Sequence, residues 1–537
     1  MGTPAGWDAV VVGAGPNGLV AANRLLDAGW SVLVLEAQPD VGGAVRSARD
    51  VHPDHVHDTF SSFYPLAAAS PTIRSFDLEQ HGLSWTHAPA VLGHPLPDGR
   101  WAVLHRDRSD TASGLDDLHA GDGDAWLELC AQWDRVGDHL VGALLTPFPP
   151  LRHGLGMLAA LRHVGGVDFV KTLLTPAAEL VRHRFGGEGA RLLLAGNAAH
   201  ADIPLDAPGS GLMGLLLAMM GQTVGFPVPV GGAGELTQAL ARRLRAGGGE
   251  IRTDTEVVRI DVSGRRAVGV TSADGETYAA RRAVIADVLA PALYARLLDP
   301  SVVPDRIHRS LQTFELDPGT VKVDWALDGP VPWTGAPERA CGTVHVAESV
   351  ADVTTAMSQV QSGAVPARPF MLTGQMTSTD PTRSPVGTEA FWAYAHVPQD
   401  VRSDAGDDGI RGAWDHDDCQ RFADRMQARI ERLAPGFGNR VVARRVLGPR
   451  EMEQRDANLV GGALNGGSAQ LHQQLVFRPV PGLARAETPI RGLYLGSASA
   501  HPGGGVHGAC GDNAARAAIA HDRLARLVPG RLRRGRL

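Results

Sequence analysis

The chain has 537 residues, of which 44% are hydrophobic and 20% charged, and its formal net charge is -7. These values are typical of a globular protein of about two to three domains, and they exclude a general electrostatic attraction to nucleic acid or to anionic membranes. The four cysteines are too widely separated for a disulfide framework or a CxxC pair, so we expect a cytoplasmic protein, with peripheral contact to a membrane as the open alternative.

The N-terminal segment predicts a dinucleotide-binding βαβ unit. An apolar run, Asp8–Val12, has the character of a buried parallel strand and leads directly into the turn GAGPNG. A helix over Asn17–Ala28 and a second buried strand over Ser31–Leu35 follow, and Glu36 stands at the end of that strand. A glycine-rich turn alone is weak evidence, but here the strand, turn, helix, second strand and acid all agree.

Each motif position of this unit has a structural role in binding a dinucleotide. Gly13 allows the tight turn, Gly15 lets the backbone approach a pyrophosphate, and Gly18 lets the helix pack closely on the strand. The helix N-terminus offers unpaired N–H groups and a positive potential to phosphates, and Glu36 is suited to accept hydrogen bonds from a ribose. The predicted cofactor-binding residues in this segment are Gly13, Gly15, Pro16, Asn17, Gly18, Glu36 and Ala37.

A second glycine pair follows the acidic residue. In the stretch AQPDVGGAVRS, Gly42 and Gly43 predict another close approach of backbone to a ligand, and Arg46 can meet a phosphate. With this motif the sequence resembles the superfamily of FAD-dependent phytoene desaturases and flavin-containing amine oxidases. The resemblance implies that the cofactor is FAD and that Gly42, Gly43 and Arg46 help to bind it.

The middle of the chain predicts a return to the same domain. A helix over Glu235–Arg245, a strand ending at Ile260, a hairpin through Asp274 and Gly275, and a buried strand over Ala283–Ala286 follow one another. This order resembles the second part of the family's discontinuous FAD domain, and the resemblance implies that the backbone of Val257 contacts the adenine. No second nucleotide motif is recognised, which argues against a pyridine-nucleotide disulfide reductase.

The C-terminal stretch YLGSASAHPGGGVHGACGDNAA closely resembles the phytoene desaturase C-terminal motif. We predict a strand over Leu493–Leu495, a loop with the glycines Gly503–Gly505, and a helix from about Asp512. In that family the helix N-terminus abuts the flavin ring, and the glycines permit contact without intervening side chains. The resemblance implies further cofactor-binding residues at Gly496, Gly504, Gly505 and Val506.

The fold class predicted is α/β: a Rossmann-type FAD-binding domain built from discontinuous segments, plus an α+β substrate domain with a mixed sheet and helices. Chain order places the FAD-binding domain at 1–76, 225–300 and 480–537. The substrate domain takes the intervening segments 77–224 and 301–479.

Two residues are candidates for catalysis. The resemblance implies that Lys322, in GTVKVDWALDGPVPW, holds a water beside the flavin, so Lys322→Met is expected to keep FAD and slow flavin reduction; an ordinary surface lysine is the alternative. His507 can face the flavin or the substrate, and so can His501; a buried histidine with a purely structural hydrogen bond is the alternative for both. The HVHD stretch at His55–Asp58 lacks further ligands, so no metal is expected.

The resemblance implies hydride removal from a C–H bond onto FAD. Amine oxidases usually frame the flavin with aromatic residues, whereas this C-terminal motif has glycine there and the whole chain is only 5% aromatic. We therefore predict a small apolar substrate of the carotenoid or isoprenoid type. A flavin amine oxidase and a non-catalytic FAD-binding regulatory protein are the alternatives, and the electron acceptor (oxygen, quinone or nicotinamide) and the oligomeric state stay open.

Overall fold

The structure is a computed structural model that describes residues 6–527, so the ends of the first and last predicted segments lie outside the described residues. Within this range the strands, in chain order, are β1 (Trp7–Val12), β2 (Val32–Leu35), β3 (Ser47–His52), β4 (His55–Asp58), β5 (Trp85–Thr86), β6 (Ala90–Pro95), β7 (Trp101–Leu104), β8 (Val228–Pro229), β9 (Glu250–Arg252), β10 (Val257–Ser263), β11 (Arg266–Ser272), β12 (Thr277–Ala286), β13 (Gly319–Leu327), β14 (Cys341–Val346), β15 (Ala364–Val365), β16 (Met371–Gln375), β17 (Glu389–Val397), β18 (Ser403–Asp404), β19 (Val441–Leu447) and β20 (Leu493–Leu495).

The α-helices of the same range are α1 (Pro16–Asp27), α2 (Pro65–Ala69), α3 (Pro71–Arg74), α4 (Arg108–Leu118), α5 (Asp122–Leu145), α6 (Leu151–Leu161), α7 (Val167–Leu174), α8 (Ala177–Arg184), α9 (Glu188–Ala199), α10 (Ser210–Thr223), α11 (Gly234–Ala246), α12 (Ala290–Ala292), α13 (Asp305–Leu311), α14 (Val350–Gln361), α15 (Met376–Thr379), α16 (His416–Leu433), α17 (Pro449–Arg455) and α18 (Ala509–Leu527). The α1 bounds differ by one residue at each end from the predicted Asn17–Ala28.

The first sheet is the nucleotide-binding one. Strands β9, β2, β1, β12 and β20 lie side by side in that order and are parallel, and β11 and β10 extend the sheet antiparallel from the beginning of β12. Helices α1, α11 and α18 cover one face, and a second apolar cluster around Tyr294 covers the other. Parallel strands are buried on both faces, which is why they are continuous apolar runs in the sequence.

The second sheet has the order β19-β13-β17-β16-β14-β6-β7 and is antiparallel except where β14 pairs with β6. Side chains alternate along β13, so Val321, Val323 and Trp325 pack against α16. Residues on the opposite face, such as Trp392 on β17, pack against α9 and α10. The mixed sheet with helices confirms the predicted fold class of a Rossmann-type domain combined with an α+β domain.

No helix in residues 6–527 combines the length and the apolar character needed to cross a lipid bilayer. The four cysteines are all buried and unpaired. Helix α6 nevertheless presents a row of exposed leucines, Leu151, Leu155 and Leu158, each about two-thirds or more exposed.

Candidate functional site

A large open cavity runs along the carboxyl ends of β1, β2 and β12 and reaches the loop that precedes α18. This is the edge of a parallel sheet at which α/β folds bind their ligands. Gly15 and Gly504, which are 489 positions apart in the chain, both line it. The predicted cofactor residues that line the cavity are Gly13, Gly15, Pro16, Asn17, Glu36, Ala37, Gly43, Val257, Gly504, Gly505 and Val506.

The first turn is shaped by its glycines. Gly13 has φ +98°, a conformation that favours glycine, and its N–H donates to the carbonyl of Leu35 at 2.8 Å. A Cβ on Gly18 would overlap the carbonyl oxygen of Gly13, so Gly18 serves the close helix packing expected of it and does not line the cavity. The turn therefore leaves the N-terminus of α1 open to the cavity at Gly15, Pro16 and Asn17.

Glu36 is held rigidly at the end of β2. Its Oε2 accepts from the N–H of Ala14 at 2.7 Å and its Oε1 from the N–H of Gln38 at 2.9 Å. Burial raises the pKa of this carboxyl, and the two backbone donors oppose that rise. The oxygens lie beside the adenosine end of the cavity, where a ribose hydroxyl would donate to them.

Two further carboxyl groups that the sequence analysis did not single out line the same cavity. Asp287 directly follows β12, and its Oδ2 accepts from the N–H of Gly18 at 2.7 Å. Burial, together with the neighbouring charges of Asp456 and Glu36, raises its pKa to about 8. Burial likewise raises the pKa of Asp456. One signal was available for Asp287, because a polar residue at the end of a parallel strand faces the ligand edge of the sheet.

The second glycine pair lies against the first turn. Gly42 has φ +127° and its N–H donates to the carbonyl of Ala14 at 2.9 Å, while a Cβ on Gly43 would lie 3.1 Å from the Cα of Gly15. Only Gly43 of the pair lines the cavity. Arg46 does not line it: its guanidinium donates to the carbonyls of Gly43 at 2.9 Å and Arg455 at 2.7 Å. Here Arg46 ties the loop together, and its contact with phosphate stays a prediction.

The C-terminal glycines form the other end of the cavity. Gly503 and Gly505 have φ +114° and +115°, and a Cβ on Gly504 would lie 2.5 Å from Oδ1 of Asn465. The loop Gly503–Val506 touches the cavity, whereas α18 begins only at Ala509. Gly496 does not line the cavity. Its N–H donates to the carbonyl of Ala286 at 2.8 Å, and it packs between β12 and α18.

The two candidate histidines have structural partners. Nδ1 of His507 accepts from the N–H of Ala509 at 3.0 Å, which caps the start of α18. Burial lowers the pKa of His507 to about 4, so it is neutral at pH 7. His501 contacts the carbonyl of Thr146 at 3.2 Å through Nε2. Neither ring lines the described cavity, and a catalytic role for His507 stays a prediction.

Lys322 lies in the interior of the second sheet and outside the lining of the cavity. Its Nζ donates to the carbonyl of Asp58 at 2.9 Å and to the carboxylate of Asp324, which also accepts from Arg445 at 2.7 Å. Burial lowers the pKa of Lys322, and the charge of Asp324 raises it. This ion pair gives the ammonium a structural partner, and its predicted catalytic role stays a prediction.

A second, much smaller cavity, with room for about one water molecule, lies between α14 and the ends of α9 and β17. Its walls are mainly apolar, with Met357, Val360 and Phe370 among them. Its polar pair is His396 and Asp202, whose Nε2 and Oδ1 are 2.5 Å apart. The other oxygen of Asp202 accepts from Nδ2 of Asn465 at 2.6 Å, so this pair connects the small cavity to the glycine loop at Gly504.

The large cavity fits FAD. It lies at the ends of β1 and β2, extends from one glycine turn to the other, and a Cβ would fill both turns; a bound dinucleotide would have its phosphates near α1 and its flat ring near Gly503–Val506. In the part of the chain from 6 to 527, no group of three or more His, Cys, Asp or Glu side chains is arranged to hold a metal ion.

Comparisons with known proteins agree with this geometry. Residues 11–76 match the family described as NAD(P)-binding Rossmann-like domain, and residues 148–378 match the family described as flavin containing amine oxidoreductase. The mouse protein named pyridine nucleotide-disulfide oxidoreductase domain-containing protein 2 is 28% identical, with 95% of this chain and 92% of that protein covered.

Two further relatives are more distant. A phytoene desaturase (neurosporene-forming) of Rhodobacter capsulatus is 24% identical, with 93% of this chain and 91% of that protein covered. The solved structure of a putrescine oxidase bound to putrescine is 18% identical, with a TM-score of 0.58 over 97% of this chain and 99% of that one. The protein is thus a flavin-dependent oxidoreductase with FAD as its cofactor. The chain is similar to the flavin-containing amine oxidoreductases over residues 148–378 and to a phytoene desaturase over 93% of its length.

Proposed function

We propose that this oxidoreductase removes a hydride from a C–H bond of an apolar substrate of the carotenoid or isoprenoid type. Bound FAD supplies the two-electron acceptor for the hydride. The protein then has to hold the donor carbon against the ring, exclude water and stabilise the charge that develops. The sequence leaves oxygen, a quinone and a nicotinamide open as final electron acceptors.

One observation carries the choice of substrate class: no aromatic side chain lines the described cavity at its glycine end or elsewhere. The walls there consist of Ala498, Ser499 and the loop Gly503–Val506. Beyond the loop the interior is apolar, because Leu66 lies beside Gly505 and the helices α9 and α10 are almost wholly buried. An apolar chain loses little hydration free energy on entering such surroundings. A charged amine would lose its hydration shell and would find no aromatic ring for a cation–π interaction.

The small cavity supports the same proposal. Its walls are mainly apolar, and the His396–Asp202 pair places one ionisable group next to the loop that holds Asn465. Removing a hydride from one carbon and a proton from its neighbour leaves a double bond, so a proton acceptor is required. The carboxylate of Asp202 is suited to accept that proton, and the ring of His396 beside it is suited to hold the carboxylate in place.

Amine oxidation is the second candidate, and the likeness of fold to putrescine oxidase favours it. A non-catalytic FAD-binding protein is the third. One experiment separates them: the FAD-loaded protein is mixed without oxygen with phytoene in detergent micelles, with putrescine, or with NADPH, and the flavin absorbance is followed. Gly15→Val is the control, since its branched side chain would press on Oδ2 of Asp287 and fill the phosphate turn.

We expect phytoene or a shorter polyene to bleach the flavin of the wild-type protein, and the Gly15→Val protein to hold no flavin. Bleaching by putrescine would replace the proposal with amine oxidation. Bleaching by NADPH alone would make the protein a reductase, and a flavin that no compound reduces would support the non-catalytic alternative.

A further inference from the structure

Arg478 is a fully buried arginine directly behind the C-terminal glycine loop, with an exposed fraction of only 1%. Its guanidinium donates to four backbone carbonyls: to Asn465 and to Ala498 at 2.7 Å each, to Ser468 at 3.0 Å and to Gly467 at 3.4 Å. Within residues 6–527 no carboxylate oxygen lies within 4 Å of its nitrogens, since none of the ion pairs includes it. The charge is therefore held by peptide dipoles alone.

This arrangement is unusual within the molecule. Of the three buried arginines in the described range, Arg383 pairs with Asp58 and Asp380, and Arg429 pairs with Asp352. Burying an unpaired charge opposes folding. Such a charge next to a ligand cavity creates a positive electrostatic potential in the cavity that water does not screen.

The guanidinium lies one peptide unit from the cavity wall. Ala498, which accepts its hydrogen bond, lines the cavity, and so does Gly466, which follows Asn465. A Cβ on Gly503, another lining residue, would lie 3.2 Å from Cζ of Arg478. The carboxylate of Asp317 also holds this loop. It accepts hydrogen bonds from the N–H groups of Leu464, Asn465 and Gly467.

We propose that Arg478 is a positioning residue that stabilises the negative charge of reduced flavin and holds the loop on which the ring rests. The inference rests on the proposed function in one respect: the flavin ring must lie at Gly503–Val506. Accepting a hydride adds two electrons and one proton, which leaves one negative charge on the ring. A buried cation beside that end of the ring binds the reduced form more tightly than the oxidised form, and this difference raises the midpoint potential.

The test is the midpoint potential of FAD in the full-length protein, measured by slow reduction with dithionite in the presence of a reference dye. Arg478→Gln removes the charge and keeps a hydrogen-bond donor, whereas Arg478→Lys keeps the charge and loses the planar fork. We expect the preference for reduced over oxidised FAD to fall at least tenfold in Arg478→Gln, which corresponds to a potential lower by about 30 mV for a two-electron couple. Arg478→Lys should stay close to the wild-type potential.

Arg485 provides the matched control. It belongs to the same chain segment but is exposed, and its Nε donates to the carbonyl of Phe148. The Arg485→Gln protein should keep both the midpoint potential and the FAD affinity of the wild-type protein. An Arg478→Gln protein that binds FAD with an unchanged potential would reduce Arg478 to a structural role and overturn the proposal.

The midpoint potential of FAD in the wild-type protein also tests the proposal, even when the Arg478→Gln protein fails to fold. The proposal requires that bound FAD have a higher potential than free FAD, so a value equal to or below that of free FAD also overturns it. Failure of the proposed function gives a different result, because a wild-type flavin that putrescine reduces, or that no substrate reduces, still has a measurable potential.

Discussion

Replacing Asp287 with asparagine tests the electrostatics of the FAD cavity. The carboxyl lies against the first glycine turn, and its Oδ2 accepts from the N–H of Gly18 at the start of α1. Asparagine keeps a carbonyl oxygen for this bond and cannot ionise. Because burial raises the pKa of Asp287 from 3.8 to about 8, the carboxyl is mostly protonated at pH 7, and the substitution changes little there.

The magnitude follows from that pKa. A rise from 3.8 to about 8 means that ionising Asp287 inside the protein costs at most roughly 6 kcal/mol more than in the unfolded chain. The neutral form therefore contributes stability that is complete below about pH 4 and is lost as the pH rises through about 8. Above pH 8 the carboxylate also repels the diphosphate of FAD, so binding requires uptake of a proton.

The assay is a titration of apoprotein with FAD, followed by flavin fluorescence, from pH 6.5 to 9. If only the protonated form binds, the wild-type affinity should fall about tenfold between pH 7 and pH 9, while the Asp287→Asn protein should change by less than about threefold. Asp40→Asn, which removes an exposed carboxylate on the loop after β2, should follow the wild type. Parallel pH profiles for the wild-type and Asp287→Asn proteins would refute this account.

Two further predictions concern packing and the surface. Gly511→Ala should destabilise the fold by about 2 kcal/mol, because a Cβ there would overlap the carbonyl oxygen of Asn17 and push α18 away from α1. Thermal unfolding measures this loss. The control is Gly114→Ala, whose Cβ would enter open space on α4 and which should be neutral or slightly stabilising. The exposed leucines of α6 should let the protein float with anionic liposomes in the absence of detergent, and Leu155→Asp combined with Leu158→Asp should abolish flotation. A wild-type protein that never floats contradicts the membrane contact.

The N-terminal half of the cofactor site could be predicted from local sequence patterns. The apolar run of β1, the turn with Gly13, Gly15 and Gly18, and the acid Glu36 at the end of β2 all lie where their local pattern predicts. These features depend on interactions between residues close in the chain: strand burial, positive φ at glycine, and a helix N-terminus with free N–H groups. Such interactions can be recognised without knowing the tertiary structure.

The residues that complete the site from the rest of the chain are brought there by the tertiary fold. The parallel pairing of β12 with both β1 and β20 brings Asp287 and the loop Gly503–Val506 to the cavity edge, and their place depends on strand register. Tertiary contacts likewise join Lys322 to the carbonyl of Asp58 and bury Arg478 behind the glycine loop. The partners of these charged groups are distant in sequence, so their electrostatic roles follow from packing, which no local pattern encodes.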